Sequence, residues 1–453
     1  MKLKILSLVF LFAYSSFIVH GQPTAAKEKL ARTQWFREAR FGMFIHFGIY
    51  SQLGRGEWVR NAERISNEDY QPYVDAFNPT DYNPKEWAKL AKEAGMKYVV
   101  MTTKHHDGFC LFDSKLTDYK STNTPFKRDM IKEYVEAFRA EGIRVGFYYS
   151  LLDWHHPDYP KYNDSNHPMR GNEKFKDEKI NFENYLKYMH GQVRELMTNY
   201  GKIDILWTDF SYGEMTGTKW KAKELVEMIH QLQPAIIMNN RLGGDGTTYI
   251  KTQAYGDFES PEQGVPDTKL ADKDNIDIPW ETCLTLNNSW GYNMHDNNWK
   301  SAELIVQTLV NCVSKNGNLL LNVGPDPKGN IPQASINILK EVGKWTKANG
   351  ESIYGGGEAV GLTKQDWGRF TQKGNKLYAH YMYPKIGPII LKNYQDKIKI
   401  VRMVANGAEA ATADEWWGSP KSEGNYFLNF GKPIHETYPM PDSFDTVFEI
   451  QLK

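Results

Sequence analysis

The sequence predicts an α/β chain: a (β/α)8 TIM-like barrel followed by a smaller antiparallel β-domain. Short apolar runs of strand type alternate with helical stretches over about 300 residues, the pattern of a parallel sheet with crossover helices. Several of these runs end in residues able to do chemistry, as in a barrel whose active face is built at the C-terminal strand ends. After Gly355-Gly-Gly357 the helices stop and only strand-like runs remain. The doubly wound open sheet is disfavoured, because no GxGxxG follows an early strand. The domains expected are a signal peptide over 1–21, the barrel over 22–354 and the β-domain over 355–453.

Lys2 and Lys4, an apolar run over 5–19 and then His20-Gly21-Gln22 have the make-up of a signal peptide cleaved near Gly21. The run is shorter than the ~20 residues a spanning helix needs. No other stretch could cross a bilayer, so the mature chain is expected without a membrane span, exported, and periplasmic or secreted. A helix over 27–40 leads into a strand over 41–50, apolar almost throughout and therefore buried on both faces. His46 interrupts it, and the loop Gly54-Arg-Gly-Glu57-Trp58 follows. A helix over 83–94, with Pro84 in its first turn and Gly95 at its cap, precedes a strand over 97–103 that ends in Lys104-His-His-Asp-Gly-Phe109. Next come a helix over 130–141, a strand over 144–150, Asp153-Trp-His-His-Pro157 and a long helix over 179–200. In the strand over 201–212, Ile203, Ile205 and Trp207 alternate with more polar neighbours, and Asp209 stands where it runs out. A helix over 221–231 and a strand over 235–241 continue the alternation, followed by shorter strands over 255–262 and 279–284. A helix over 302–313, a strand over 317–324 and a helix over 334–348 complete it. In the last hundred residues, strands are expected over 376–382, 397–404 and 446–452.

Lys+Arg and Asp+Glu both total 55 in the 453 residues, so nothing in the charge favours nucleic acid or an anionic membrane surface as partner. Oligomeric state is not legible. Aromatic residues reach 13%, with 13 Trp and 26 Tyr, flat apolar faces with polar tips that suit sugar rings as well as a core. The three cysteines, Cys110, Cys283 and Cys312, form no CxxC.

The strand ends collect His46, Glu57, Trp58, His105, His106, Tyr148 or Tyr149, Asp209, Arg241, Glu259 or Glu262, and Trp290. Charge at the end of a buried strand needs a partner or a task. Carboxylates among neutral donors and aromatic walls suit glycoside hydrolysis, in which one attacks the anomeric carbon and another protonates the leaving oxygen. The pairs His105-His106 and His155-His156 invite a metal, but adjacent strand residues face opposite sides and neither HxH nor HExxH occurs. No metal or other cofactor is expected, and with no GxSxG, no serine nucleophile.

The motifs Phe44-Ile-His46-Phe-Gly48-Ile-Tyr-Ser, Gly56-Glu-Trp58, Lys104-His-His-Asp-Gly-Phe109, Tyr148-Tyr-Ser, Ile205-Leu-Trp-Thr-Asp209 and Asn240-Arg241 occur in order. Trp280-Glu-Thr-Cys, Ser289-Trp-Gly-Tyr292 and Asn318-Leu-Leu-Leu-Asn-Val-Gly-Pro325 follow them. Together they resemble the retaining α-L-fucosidases, glycoside hydrolase family 29, over about 35–354. The resemblance implies a (β/α)8 barrel with a C-terminal β-sandwich, no cofactor, and fucosylated oligosaccharides or glycoconjugates as substrates. It implies exo-acting hydrolysis with retention, Asp209 as nucleophile and Glu262 as acid/base, with Glu259 and Glu281 as competitors for the latter role. His46, Glu57, Trp58, His105, His106, Tyr149 (chosen over Tyr148), Trp207, Arg241 and Trp290 are the implied substrate-binding residues. The rivals are an inactive fucose-binding protein on the same scaffold and a glycosidase for a related sugar.

Overall fold

The computed structural model describes residues 25–211, 215–243, 255–385, 389–413, 424–429 and 440–453. The expected signal peptide lies outside the described residues. Among the described residues, no helix is long and apolar enough to cross a membrane.

Seven parallel strands form one sheet: β1 (Phe41–Ile45), β2 (Tyr98–Lys104), β3 (Arg144–Ser150), β4 (Ile205–Asp209), β5 (Ile237–Met238), β6 (Glu281–Thr285) and β7 (Asn318–Val323). Their order is β5-β4-β3-β2-β1-β7-β6. Helices Pro84–Glu93, Met130–Ala140, Phe182–Asn199, Ala222–Leu232, Ala302–Val313 and Gln333–Asn349 follow β1, β2, β3, β4, β6 and β7. The strand expected over 255–262 is not a regular strand. It is a line of isolated parallel bridges, Asn239 to Phe258, Glu259 to Trp280 and Glu262 to Cys283. These join the two edges of the sheet and complete the ring. Proline explains the irregularity, since it has no N–H to give to a ladder. Pro279 and Pro261 act only as acceptors, from Glu259 N–H at 2.9 Å and Cys283 N–H at 3.0 Å. Gly256 lets the segment approach: a Cβ there would lie 2.7 Å from the Asn239 carbonyl oxygen.

Three further expectations change in detail, the first being the strand over 235–241, which is regular only at Ile237–Met238. The helix over 27–40 breaks at Thr33 into Ala25–Arg32 and Gln34–Ala39, with the Thr33 hydroxyl bonded back to Lys29 O at 2.7 Å. The strand over 41–50 ends at Ile45, and a 3-10 turn, Ile49–Leu53, takes over.

The core has two shells. Inside the ring, Phe44, Tyr148, Ile205, Trp207, Phe258 and Leu320 pack together, and Phe36 belongs to the same cluster. The larger shell lies between strands and helices, with Met43, Met101, Phe147, Leu206 and Leu319 on its strand side. Every residue of β1, β2, β4, β6 and β7 is buried, because both faces of the sheet are covered.

Beyond the ring come β8 (Gly357–Glu358), β9 (Gly368–Lys373), β10 (Lys376–Tyr381), β11 (Ile389–Leu391), β12 (Ile398–Met403), β13 (Ala411–Ala413), β14 (Tyr426–Asn429) and β15 (Thr446–Leu452). They form antiparallel sheets β12-β15-β10-β9-β8 and β11-β14-β13. Leu377, Val401 and Ile450 of the first sheet share a core with Ile389, Leu391 and Leu428 of the second, which makes the pair a sandwich.

Candidate active site

Asp209 is the last residue of β4 and is 8% exposed. Its Oδ2 accepts the Tyr148 hydroxyl at 2.8 Å, and its Oδ1 accepts Arg241 Nη1–H at 3.1 Å. A second Arg241 nitrogen, Nη2, donates to Glu262 Oε2 at 2.9 Å, so one guanidinium holds both carboxylates. It also stacks on Trp207, 4.5 Å above the ring. Phe210, next after Asp209, has φ 78°, a region where a bulky residue is an outlier, and its ring packs on His106 and Trp58.

Burial keeps the histidines neutral, and hydrogen bonds fix the tautomers of His46 and His106. Asn322 Nδ2 donates to Trp290 O at 2.7 Å, which turns its Oδ1 toward His46 Nδ1 at 2.7 Å. His46 therefore carries its proton on Nδ1 and a lone pair on Nε2. The Ser150 hydroxyl donates to Leu152 O at 2.8 Å and accepts from His106 Nδ1–H at 2.7 Å. His106 Nε2 thus presents a lone pair 3.9 Å from Asp209 Oδ2, too far for a bond and open to a hydroxyl between them. Burial pushes both imidazoles down to about 4, and His105 well below its usual range. Both His105 and His106 reach the cluster because β2 carries a register shift between Thr102 and Lys104 and then ends. A bulge of this kind re-aims the side chains that follow it. The His105 ring stacks on Tyr148 and lies 4.1 Å from that of His106.

Trp290 packs against His46, with ring centroids 5.2 Å apart, and Trp58 against His106 at 5.1 Å. Glu57 is buried and accepts the Gly291 N–H at 2.8 Å, which ties down the loop carrying Trp290; burial raises its carboxyl. The structure thus gathers His46, Glu57, Trp58, His105, His106, Trp207, Asp209, Arg241, Glu262 and Trp290 around one centre.

Tyr149 is the exception, and the expectation for it is corrected. It points to the outer shell, where its hydroxyl donates to Gln192 Oε1 at 2.8 Å. Tyr148 is the tyrosine at the site. Successive strand residues face opposite sides, so an offset of one exchanges core and cavity. Asn322 and Ser150, which orient the histidines, were not singled out from the sequence. The signal for Asn322 was its period-2 placement with Asn318 and Leu320 in an otherwise apolar strand.

The competing glutamates lie elsewhere. Glu281 is sealed in the ring, with Oε1 taking Trp207 Nε1–H at 3.0 Å and Oε2 taking the Tyr98 hydroxyl at 2.6 Å; burial raises it to about 7. Glu259 alternates to the face opposite Phe258, bonds Asn240 Nδ2 and is raised to about 8 by burial. Glu262 keeps 37% of its side chain exposed. Among the described residues, no three His, Cys, Asp or Glu side chains are grouped to hold a metal ion.

A family model described as Alpha-L-fucosidase matches residues 19–351. Human tissue alpha-L-fucosidase is 31% identical over 391 residues, covering 79% of this chain and 78% of the human protein. Among solved structures, alpha-L-fucosidase isoenzyme 1 from Paenibacillus thiaminolyticus has 56% identity and a TM-score of 0.89, covering 94% of this chain and 99% of its own. A GH29 alpha-L-fucosidase from Bacteroides thetaiotaomicron, trapped as a covalent intermediate with 2-fluoro-fucosyl fluoride, has 28% identity and a TM-score of 0.80. That likeness covers 93% of this chain and 96% of the Bacteroides one.

Proposed function

The chain belongs to the alpha-L-fucosidase family of glycoside hydrolases, and we propose that it removes terminal α-L-fucosyl residues from glycans, exo-acting, with retention and through a covalent fucosyl–enzyme intermediate. The observation that carries this reading is the single Arg241 guanidinium spanning Asp209 and Glu262. Two carboxylates held by one guanidinium suit the ~5–5.5 Å separation of retaining enzymes better than the ~6.5–9.5 Å that leaves room for water in inverting ones. The relative trapped as a covalent intermediate supports the same chemistry.

In the first step an Asp209 carboxylate oxygen bonds to the anomeric carbon as the glycosidic C–O bond breaks. The electron pair of that bond stays on the departing oxygen, which takes the Glu262 proton. In the second step water attacks the same carbon, gives its proton to Glu262, and Asp209 leaves as carboxylate. Glu262 takes this role because it alone of the three glutamates is both at the cluster and open to solvent, where leaving group and water arrive. Neutral His46 and His106 accept sugar hydroxyls at Nε2, and Trp290 and Trp58 wall the ring. The leader over 1–21 supports export, in which case the mature chain begins near Gln22.

Product anomers followed by proton NMR test retention: α-fucose must appear first. Asp209→Asn should lower turnover at least ~10³-fold in a folded protein. Glu262→Ala should keep the first step on aryl fucosides with good leaving groups, lose most activity on oligosaccharides, and form α-fucosyl azide when azide is added. The same azide with Asp209→Gly should give the β-anomer. Near-normal turnover in Asp209→Asn overturns the nucleophile assignment. If Glu259→Ala or Glu281→Ala alone shows the azide response, the acid/base role passes to that residue.

A further inference from the structure

We propose that Glu281 is a positioning residue for this reaction: its carboxylate fixes the Trp207 indole, and through that ring the two groups that hold the nucleophile, Arg241 and Tyr148. The proposal rests on the reading of Asp209 and Glu262 above. An indole has one polar atom, and a buried one is oriented by whatever accepts its N–H. In the middle of the ring of strands that acceptor is Glu281 Oε1, at 3.0 Å. The other oxygen is held by the Tyr98 hydroxyl at 2.6 Å, so the carboxylate itself has little freedom to turn.

The fixed indole is the surface on which the contacts of the nucleophile are aligned. Arg241 lies over it at 4.5 Å, and the Tyr148 ring stacks beside it at 5.7 Å with 21° between planes. These are the two groups hydrogen-bonded to the two oxygens of Asp209, at 3.1 and 2.8 Å. Trp207 also precedes Asp209 by two residues on β4, so a tilt of the indole reaches the nucleophile through backbone and side chains together. Tyr98 from β2, Trp207 from β4 and the Arg241 charge all favour the ionised carboxylate, against burial that disfavours it. With both oxygens engaged and no exposure, Glu281 has no path to a leaving group, which separates its role from that of an acid/base.

Turnover of the full-length enzyme is measured on an activated aryl α-fucoside and on a fucosylated oligosaccharide. Glu281→Met, similar in size but without an acceptor, should lose ~100-fold in kcat on both substrates with KM within ~3-fold, and azide should change nothing. Glu281→Gln keeps an acceptor for the indole and should recover kcat to within ~10-fold of the parent. Trp207→Phe keeps an aromatic face and drops the N–H, so the double variant Glu281→Met/Trp207→Phe should lose no more than Trp207→Phe alone. A loss below ~10-fold in folded Glu281→Met, or losses that multiply in the double variant, overturns the proposal. If circular dichroism shows that Glu281→Met is unfolded, Trp207→Phe carries the test, and a kcat within ~10-fold of the parent overturns it. An azide response in Glu281→Met also overturns it, and there it is the Glu262 assignment that fails. An active Asp209→Asn enzyme would instead remove the nucleophile on which both readings rest.

Discussion

At the scale of single residues, the site works by keeping charge scarce. Arg241 is the cation between two carboxylates, while His46 and His106 are held neutral by burial, each with Nδ1–H spent on Asn322 or Ser150 and Nε2 left as an acceptor. This makes a directional prediction. Their pKa values are lowered to about 4, so the accepting form persists as pH falls and is lost only on passing through about 4. The inhibition constant of fucose, measured from pH 8 to pH 4, should stay level through pH 6 and 5. A rise that sets in near 6.5, where an exposed histidine titrates, would refute the buried-neutral assignment. Stability has the same sign. The unfolded chain takes up these protons near 6.5 and the folded chain does not, so the contribution of each histidine is full above 6.5. It is lost progressively as pH falls from 6.5 to 4.

At the scale of elements, strand alternation decides which side chain serves chemistry and which serves packing. Tyr148→Phe removes a hydrogen bond to Asp209 and should lower kcat by ~10-fold or more, the scale of a hydrogen bond to a charged group. Tyr149→Phe should leave kcat within ~2-fold but cost about 1–3 kcal/mol of stability, because Gln192 Oε1 loses its donor in a buried place; thermal melts and kinetics on the two variants separate these outcomes. Such strand ends were largely legible beforehand. Asp209 and Arg241 stand out as polar residues closing apolar runs, His46 interrupts one, and Pro84 marks a helix start. What could not be read is register. Nothing local in Tyr148-Tyr149 says which tyrosine faces inward, because both are buried and only the pairing of β3 with β2 and β4 decides. The role of Glu281 was hidden for a related reason. A glutamate in an apolar strand reads the same whether it meets substrate or an indole three strands away.

At the scale of the whole molecule, the β-sandwich is hydrogen-bonded to the barrel. Trp345, on the last barrel helix, donates its Nε1–H to Asp445 O at 3.0 Å, and Arg40 Nε, just before β1, donates to Gly356 O at 2.8 Å. Below the Trp345 contact, the Asp445 carboxylate meets His380 Nδ1 at 2.6 Å with both side chains fully buried. A chain truncated after residue 355 should therefore aggregate or melt well below the full-length enzyme, rather than merely lose affinity for glycans. Solubility and thermal denaturation of the two chains side by side test this, and a truncated barrel as stable as the parent would make the sandwich an accessory. The proline-broken bridges over 258–262 have a different consequence, one that concerns time. A hoop opens first at its clasp, and here the clasp is a line of isolated bonds while β1 to β4 and β7 form continuous ladders apart from the one register shift between β2 and β3. Deuterium should therefore enter the amides of Glu259, Glu281 and Cys283 well before those of β1 and β2, through local opening that leaves the rest folded; equal protection of the two sets would mean the hoop has no weak point. Glu262 rides on this clasp and Asp209 does not. The proposed nucleophile thus ends a strand of the laddered part, while the proposed acid/base lies on the part expected to open first.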